Sequence, residues 1–315
     1  MQLGIGTAPG KVILFGEHAV VYGRPALAAP VVQVHARAVV EDRPAGSGLV
    51  IDALDLRRSI VLAQTGHPLA LVTRLALDRL GLAEPDWRVS VRSTIPIASG
   101  LGSGAAVSAA VVRGLSQAAG VDLGPAEVDA IVYEVERLHH GTPSGVDNTV
   151  IAYGQPVYFV RGTPPQPFAI ARPFTIAIGD TGKASPTKIA VGDVRSAWER
   201  DRERYEALFD RVAGVVGSAR AAITQGRPEE LGPLMDENQA LLREIGVSSP
   251  ELERLIAAAR DAGATGAKLS GGGRGGNMIA LVTPETAVAV AGSLRAAGAV
   301  RVIVTEVGRA GGDDA

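Results

Sequence analysis

The sequence predicts an α+β fold built from two domains. Strand and helix patterns mix in both halves of the 315-residue chain, and no repeat of the 20–50 residue kind indicates a solenoid. A proline-rich stretch over residues 156–167 is the best candidate for a boundary. We therefore predict one domain over residues 1–162 and another over residues 163–315, with a ligand cleft between them.

Composition excludes several classes of protein. Hydrophobic residues make up 46% and charged residues 20% of the chain, which is globular composition. The formal charge of −2 does not suit a general nucleic-acid footprint. The absence of cysteine excludes disulfides, Cys-ligated zinc and thiol nucleophiles. Without a signal-peptide pattern or an apolar run of membrane length, we expect a cytoplasmic protein that binds neither nucleic acid nor membrane.

Strands are predicted where β-branched residues dominate or where apolar and polar residues alternate. The clearest case begins at Trp87, since Trp87, Val89 and Val91 alternate with polar residues as in a half-buried strand. The predicted strands cover residues 11–15, 31–40, 87–95, 174–178, 277–283 and 300–307.

Helices are predicted from apolar stripes and from residues that start or end a helix. Gly81 lies near the end of one such stripe, and Pro125 suits the first turn of another helix. The predicted helices cover residues 69–82, 105–119, 125–138, 194–225, 228–245 and 250–262.

A glycine-rich loop precedes the helix at residue 105. Its glycines let the backbone approach a ligand closely, and the helix that follows offers unpaired N–H groups and a positive dipole end. Together these features predict a phosphate-binding loop. The residues assigned to it are Pro96, Ser99, Gly100, Leu101, Gly102, Ser103, Gly104, Ala105 and Ala106.

Two other interpretations of this loop remain open. It could be a simple turn. The pattern Gly100-x-Gly102-x-x-Ala105 also matches the dinucleotide fingerprint, with Asp122 at the distance of a ribose-binding acid. That match is weak because the preceding strand alternates, whereas a central parallel strand is apolar on both faces.

A second loop, residues 139–148, follows the helix that carries Glu136. A carboxylate held in an irregular backbone, such as Asp147, can serve as a base or an electrostatic anchor. Glu136 could bind magnesium, which prefers hard oxygen ligands. The simpler interpretations are an Asx-turn for Asp147 and a solvated helix face for Glu136.

The third loop, residues 268–277, contains five glycines between Ser270 and Asn277, too many for the interior of a strand or helix. It allows a ligand or another backbone to come close, and Arg274 could contact a phosphate or a carboxylate. A flexible surface turn is the alternative.

Polar residues also cluster where the first predicted strand ends. Glu17 and His18 follow this strand directly, next to Gly16, and polar residues in such places commonly belong to sites. A surface turn is again the alternative. Lysine is scarce: the only lysines are Lys11, Lys183, Lys188 and Lys268. All four fall in stretches that contain Gly, Ser or Thr, which makes each of them a pointer to a site.

These stretches resemble the motifs of the galactokinase, homoserine kinase, mevalonate kinase and phosphomevalonate kinase (GHMP) superfamily. Residues 9–23 and 141–148 resemble the mevalonate kinase motifs in particular, while residues 100–106 and 268–277 resemble the second and third superfamily motifs. The resemblance implies a ribosomal-S5-like N-terminal domain and a ferredoxin-like C-terminal domain. It also implies ATP, Mg²⁺, phosphorylation of the 5-hydroxyl of mevalonate and, often, a homodimer.

The resemblance also implies roles for single residues. Asp147 corresponds to the catalytic carboxylate and Lys11 to its cationic neighbour. The implied magnesium ligand is Glu136, and the implied substrate contacts are Glu17, His18, Thr187 and Lys188. Gly104 departs from the pattern, because relatives have a serine there that binds magnesium. Ser103 or a water molecule would have to take that place.

Three alternatives stay open from the sequence. The nearest is another kinase of the same superfamily, acting on phosphomevalonate, a sugar or homoserine. The others are a nicotinamide-dependent oxidoreductase, which rests on the weak match at Gly100, and a nucleotide-binding regulatory protein without turnover.

Overall fold

The computed structural model describes residues 1–64, 66–96, 100–140, 144–184 and 187–308, without the side chains of His139 and His140. The strands within these residues are β1 (Gln2–Phe15), β2 (Ala26–Asp42), β3 (Val50–Ala53), β4 (Arg58–Val61), β5 (Trp87–Ser93), β6 (Val157–Phe159), β7 (Gln166–Pro167), β8 (Phe174–Asp180), β9 (Gly266–Ser270), β10 (Asn277–Val282) and β11 (Arg301–Val307).

The helices within the same residues are α1 (Pro68–Leu80), α2 (Ser103–Ala118), α3 (Pro125–His140), α4 (Val146–Tyr153), α5 (Thr187–Arg200), α6 (Arg202–Thr224), α7 (Leu231–Ile245), α8 (Pro250–Asp261) and α9 (Ala287–Ala296). Short 3-10 turns cover Ala19–Tyr22, Leu54–Leu56 and Pro228–Glu230.

The chain divides into two compact units. Unit 1 comprises Met1–Gly10, Val34–Ile97 and Gly102–Gly154, and unit 2 comprises Lys11–Gln33, Ala98–Leu101 and Gln155–Ala315. Residues 11–33 therefore group with the C-terminal half of the chain. The family-domain boundary at residue 162 stays a prediction.

Unit 1 contains a sheet in the order β4-β3-β5-β2, in which β3 and β5 are parallel and the other pairs antiparallel. Helices α1 to α4 pack against one another. The backbone of strand β1 packs directly against the backbone of helix α2 at two glycines. An ideal Cβ on Gly6 would lie 2.0 Å from the carbonyl oxygen of Ala110, and one on Gly4 would lie 2.4 Å from that of Gly114. Only glycine fits at these two positions of β1.

Unit 2 contains an antiparallel sheet in the order β11-β8-β10-β9, and α7, α8 and α9 pack against it. Strands β9 and β10 are buried along their whole length. Because β9 and β10 are joined by the third glycine-rich stretch, this loop is held at both ends by buried strands.

Three sequence predictions need correction. The helix predicted over 194–225 is two helices, α5 and α6, since the side chain of Asp201 accepts a hydrogen bond from the backbone N of Arg204 (3.4 Å) and starts a new helix. Residues 266–270 form β9, so the third loop shortens to residues 271–276. Residues 146–148, predicted as the end of the second loop, are the first residues of α4 (Val146–Tyr153).

Candidate active site

Helix α2 of unit 1 begins as an anion-binding helix should. Its N-cap, Gly102, is left-handed with φ = 76°, and among the described residues no side chain caps the helix. The first hydrogen bond runs from the N of Ala106 to the O of Gly102 (2.9 Å). The N–H groups of the first turn, from Ser103, therefore remain for a ligand such as phosphate.

Glu136 of helix α3 lies beside this first turn. An ideal Cβ on Gly104 would lie 3.4 Å from Oε1 of Glu136. The described part of the chain contains no group of three His, Asp or Glu side chains that could hold a metal by itself. The carboxylate of Glu136 and the hydroxyl of Ser103 are hard oxygen donors at an anion-binding helix end. They fit Mg²⁺ whose other ligands are phosphate oxygens and water.

Asp147 lies in the first turn of helix α4, half-buried, after the left-handed N-cap Gly145 (φ = 96°). A helix N-terminus favours negative charge at this place. The same turn is anchored by Asp129 of α3. Its Oδ1 accepts hydrogen bonds from Nδ2 of Asn148 (2.5 Å) and from Oγ1 of Thr149 (3.2 Å). Asp129 therefore holds the backbone that carries Asp147.

Asp129 was missed from the sequence. Burial raises the pKa of its carboxyl, and the two hydrogen bonds oppose that rise. The sequence does not distinguish Asp129 from the solvent-exposed acidic residues of the same helix. Its partners lie 19 and 20 residues away, and Asp129 contacts them only because α3 packs against α4.

Within unit 2, parts of three motif stretches lie close together, those of residues 9–23, 100–106 and 268–277. The backbone N of the buried Lys11 donates to the carbonyl oxygen of Leu101 (3.0 Å). An ideal Cβ on Gly100 would lie 3.8 Å from Nδ2 of Asn277, the first residue of β10, which directly follows the third loop. The residues of the phosphate loop that belong to this unit thus lie next to both other motifs.

Glu17 and Lys268 form a buried ion pair. Both side chains have no exposed surface, and Nζ of Lys268 donates to Oε1 of Glu17 and to the carbonyl oxygen of Leu269 (2.6 Å). Burial raises the pKa of Glu17 and lowers that of Lys268, while their mutual attraction opposes both shifts. Lys268 was not assigned a role from its sequence, although the scarcity of lysine pointed to it. The predicted substrate contact of Glu17 stays a prediction.

His18 has an unusual backbone and a buried side chain. Its φ is 60°, a conformation that residues other than glycine rarely adopt. Its Nε2 lies 3.0 Å from the carbonyl oxygen of Gly272 in the third loop. Burial, with a smaller effect of Arg274, lowers the pKa of the imidazole to about 4. Among the described residues, Nδ1 is buried and has no hydrogen-bond partner.

Close contacts with the backbone of Val247 hold the third loop in place. An ideal Cβ on Gly273 would lie 2.1 Å from the carbonyl oxygen of Val247, so glycine is required there. The next residue, Arg274, has φ = 56°, and its backbone N donates to the same oxygen (2.8 Å). Its guanidinium forms an ion pair with Asp193 of α5. The carboxylate that Arg274 contacts is therefore one of the protein's own.

The remaining predicted site residues have different surroundings. Thr187 and Lys188 lie in the exposed first turn of α5, whereas Glu17 and His18 of the same unit are buried. Pro96 is half-buried, and Ala105 and Ala106 are buried in α2. Ser99 lies outside the described residues. Within the described part, no helix is both long and apolar enough to cross a membrane.

The sequence of this chain is similar to those of known protein families. The profile of the GHMP kinases N terminal domain matches residues 69–155, and that of the GHMP kinases C terminal region matches residues 219–300. A mevalonate kinase of Pyrococcus horikoshii is 36% identical over 98% of this chain and 96% of its own length. One from Thermococcus sibiricus is 35% identical over 98% and 97%.

A solved structure extends the match to the fold. The crystal structure of the L. major mevalonate kinase in complex with R-mevalonate has a TM-score of 0.85 and 31% identity. The match covers 96% of this chain and 95% of that one. The predicted α+β class with two GHMP kinase domains is confirmed by these matches, and so is the resemblance on which it rested.

Proposed function

The chain belongs to the mevalonate kinases of the GHMP family, and we propose that it transfers the γ-phosphoryl group of ATP to the 5-hydroxyl of mevalonate, forming 5-phosphomevalonate and ADP. The observation that carries the proposal is the position of Glu136. Its carboxylate lies beside the first turn of α2, which no side chain of the described residues caps, so that one place offers both N–H donors for phosphate and an oxygen ligand for a metal.

The phosphate end of the reaction is assigned to unit 1. The first-turn N–H groups of α2, from Ser103, bind phosphate oxygens and are aided by the helix dipole. Glu136 and Ser103 would hold Mg²⁺ there. When bound, the ion would neutralise charge that develops on the transferred phosphoryl group. Gly104 contributes no side chain, so Ser103 or a water molecule would have to take the place that the family resemblance assigns to a serine.

The acceptor end is assigned to Asp147 and Lys11. Phosphoryl transfer demands positioning and charge stabilisation more than covalent chemistry. Asp147 accepts or orients the proton of the attacking hydroxyl, and the anchor at Asp129 keeps its helix turn in place. Lys11 stabilises the negative charge that this step creates.

The substrate assignments of unit 2 are part of the same proposal. We assign Glu17 and His18 to the acceptor because their buried polar atoms lie beside the third motif. Thr187 and Lys188 are assigned to the outer part of the acceptor site, since their helix turn is exposed. The predicted homodimer and the cytoplasmic location stay predictions.

The decisive experiment measures ADP release from ATP and Mg²⁺ with mevalonate, phosphomevalonate, galactose and homoserine offered separately. Turnover with mevalonate alone is expected. Turnover with another acceptor would keep the kinase chemistry and refute the proposed substrate. ATP binding without turnover on any of the four would refute both the reaction and the roles of Asp147 and Lys11.

A further inference from the structure

Helix α5 of unit 2 is weakly packed. The structure describes all of its residues, and of these only Ala190 and Val194 are buried. Helix α7, of similar length, buries eight. The first turn of α5, which carries Thr187 and Lys188, is exposed. Because few buried apolar side chains hold it, the N-terminal half of α5 depends on other contacts to keep its place.

The C-terminal half of α5 has contacts of its own. The ring centroid of Trp198 lies 5.3 Å from that of Tyr22, and its Nε1 donates a hydrogen bond to Oε1 of Glu206 in α6 (2.9 Å). These contacts anchor the end of α5 that is remote from the exposed turn. Trp198 lies about 16 Å along the helix from Thr187, so it does not by itself fix the first turn.

Arg274 of the third loop contacts the N-terminal half of α5. Its guanidinium forms an ion pair with Asp193 through Nη1 and Oδ2. Its Nη2 donates to the carbonyl oxygen of Gly246, the C-cap of α7 (3.4 Å). Asp193 follows Thr187 by less than two helical turns. Arg274 therefore joins the first half of α5 to the third loop and to the end of α7.

The backbone of Arg274 is fixed more firmly than α5. Its N donates to the carbonyl oxygen of Val247 (2.8 Å), and the preceding Gly273 leaves no room for a side chain against the same oxygen. The φ of Arg274 is 56°, which glycine adopts without steric cost and arginine rarely adopts. Backbone strain at this residue points to a role for its side chain, and that side chain extends to α5.

We propose that Arg274 is a positioning residue, whose ion pair with Asp193 holds the first turn of α5 in place and thereby sets the affinity for the acceptor substrate. This inference rests on the proposed function, which assigns Thr187 and Lys188 of that turn to the acceptor. The two paired side chains are 32% and 56% exposed, so the pair is a weak hold that salt screens. The affinity for ATP, whose phosphates are assigned to unit 1, should not depend on it.

Amide hydrogen exchange tests the hold on α5 without any turnover. Asp193→Asn removes the charge and keeps the shape of the side chain. Its matched control is Glu244→Gln, which opens the part-exposed ion pair between Arg211 of α6 and Glu244 of α7 in the same unit (3.6 Å). We expect exchange in the first half of α5 to be about three- to fivefold faster in Asp193→Asn, the scale of one part-exposed ion pair. Exchange there should match wild type in Glu244→Gln.

Steady-state kinetics supply the second readout. In Asp193→Asn the KM for mevalonate should rise about three- to fivefold, while kcat and the KM for ATP stay at their wild-type values. Arg274→Gly should give the same rise without loss of stability, because glycine takes the positive φ freely. The ratio of variant to wild-type KM should approach 1 at about 0.5 M NaCl, since salt screens the pair in the wild type.

An exchange of the two charges provides the rescue. Asp193→Arg alone sets two guanidinium groups against each other and should raise the KM for mevalonate more than Asp193→Asn does. The double variant Asp193→Arg/Arg274→Asp restores an ion pair of reversed sense, and aspartate is among the residues that tolerate a positive φ. Its KM should lie closer to that of wild type than the KM of either single variant.

The outcomes separate this inference from the proposed function. Unchanged exchange in α5 of Asp193→Asn, or faster exchange with an unchanged KM for mevalonate, would overturn the inference and leave the proposed reaction intact. An equal rise of KM in Glu244→Gln would overturn it as well, since the effect would then come from any lost charge. A wild-type protein that does not turn over mevalonate would refute the proposed function and the link to the acceptor, while exchange would still decide whether Arg274 holds α5.

Discussion

Lys268 neutralises Glu17 inside unit 2, where neither side chain reaches solvent. The two residues are 251 positions apart in the sequence, and they tie the segment that follows β1 to strand β9, which leads into the third loop. The pair therefore fixes the backbone from which His18 extends.

Removing one partner of this pair should be far more harmful than removing both. Lys268→Met leaves a buried, uncompensated carboxylate and is expected to lower the free energy of unfolding by about 3–5 kcal/mol. The double variant Glu17→Gln/Lys268→Met should recover a large part of that loss. Urea unfolding of the two single variants and the double variant measures the coupling.

An exposed ion pair provides the matched control. Arg137 and Glu134 are paired on the surface of α3, with side chains 57% and 44% exposed. The same double-mutant cycle there should give a coupling of about 0–1 kcal/mol. Equal coupling at the two sites would contradict the buried character of the Glu17–Lys268 pair.

Folding stability should depend on pH through His18. The pKa of the imidazole is 6.5 in the unfolded chain and about 4 in the folded protein, where the side chain is buried. Between these pH values the unfolded chain therefore binds more protons than the folded protein. The contribution of His18 to the free energy of unfolding should therefore rise by on the order of 3 kcal/mol between pH 4 and pH 6.5. Above pH 6.5 this contribution should stay constant.

Other groups also titrate, and a variant isolates the contribution of His18. Glu17 has the opposite effect. Because its pKa is raised in the folded protein, its contribution to the free energy of unfolding falls as pH rises. The difference between wild type and His18→Asn removes this background. Parallel stability curves for the two proteins between pH 4 and 6.5 would show that His18 is not buried in its neutral form.

Asp147→Asn should fold normally and lose activity. Loss of a positioned base typically costs on the order of 10²–10⁴ in rate. The loss should appear in kcat, with the affinity for ATP unchanged, as measured by steady-state kinetics and by calorimetric titration of ATP. A variant with wild-type turnover would remove Asp147 from the mechanism.

Asp129 should act differently, as a positioning residue. Asp129→Ala leaves the side chains of Asn148 and Thr149 without their shared acceptor, which should lower the free energy of unfolding by about 1–3 kcal/mol. Activity should fall along with stability, whereas Asp129→Asn, which keeps one acceptor oxygen, should recover part of both. If Asp129→Ala proved as stable as wild type, the anchor would have no structural role.

Gly104→Ser should tighten metal binding. An ideal Cβ at this position is in ordinary contact with Oε1 of Glu136, at 3.4 Å, so a serine fits and brings a hydroxyl to the metal site. We expect severalfold tighter binding of Mg²⁺ to the complex with a non-hydrolysable ATP analogue, on the scale of about 1 kcal/mol for one added polar contact. Calorimetry of metal binding measures it.

The control for this change is Gly104→Ala, which adds the Cβ without the hydroxyl. Its metal affinity should equal that of wild type. Tightening by alanine as well would trace the effect to the helix and not to the hydroxyl, and tightening by neither would argue against Glu136 as the metal ligand.

Much of the fold followed from local patterns. The alternation at Trp87 and the apolar stripe ending near Gly81 predicted β5 and α1 with errors of one or two residues, since each of these elements is amphipathic on its own. The strands β3 and β4, of four residues each, were missed because so short a segment has no readable period. Strand β9 was hidden by the glycines that follow it.

The sequence predicted those site residues that lie in a recognisable motif. It did not predict those whose role depends on packing between distant segments. The phosphate helix could be named from its glycine-rich loop and Glu136 from the family resemblance, and the structure places the two together in unit 1. Asp129 and the partner of Glu17 could not, because each is selected by contacts between distant segments. The burial of Nδ1 of His18 without a partner among the described residues likewise follows only from the structure, in which the carbonyl oxygen of Gly272 contacts the other ring nitrogen.

The contact between β1 and α2 limits which sequences are reachable from this one by mutation. At Gly4 and Gly6 the smallest possible addition, one methyl group, would drive the strand backbone away from the phosphate helix. No single compensating substitution can restore the spacing, because the opposing atoms belong to the main chain of Ala110 and Gly114. A library randomised at these two positions should return glycine alone, even under selection for activity as weak as a few percent of wild type.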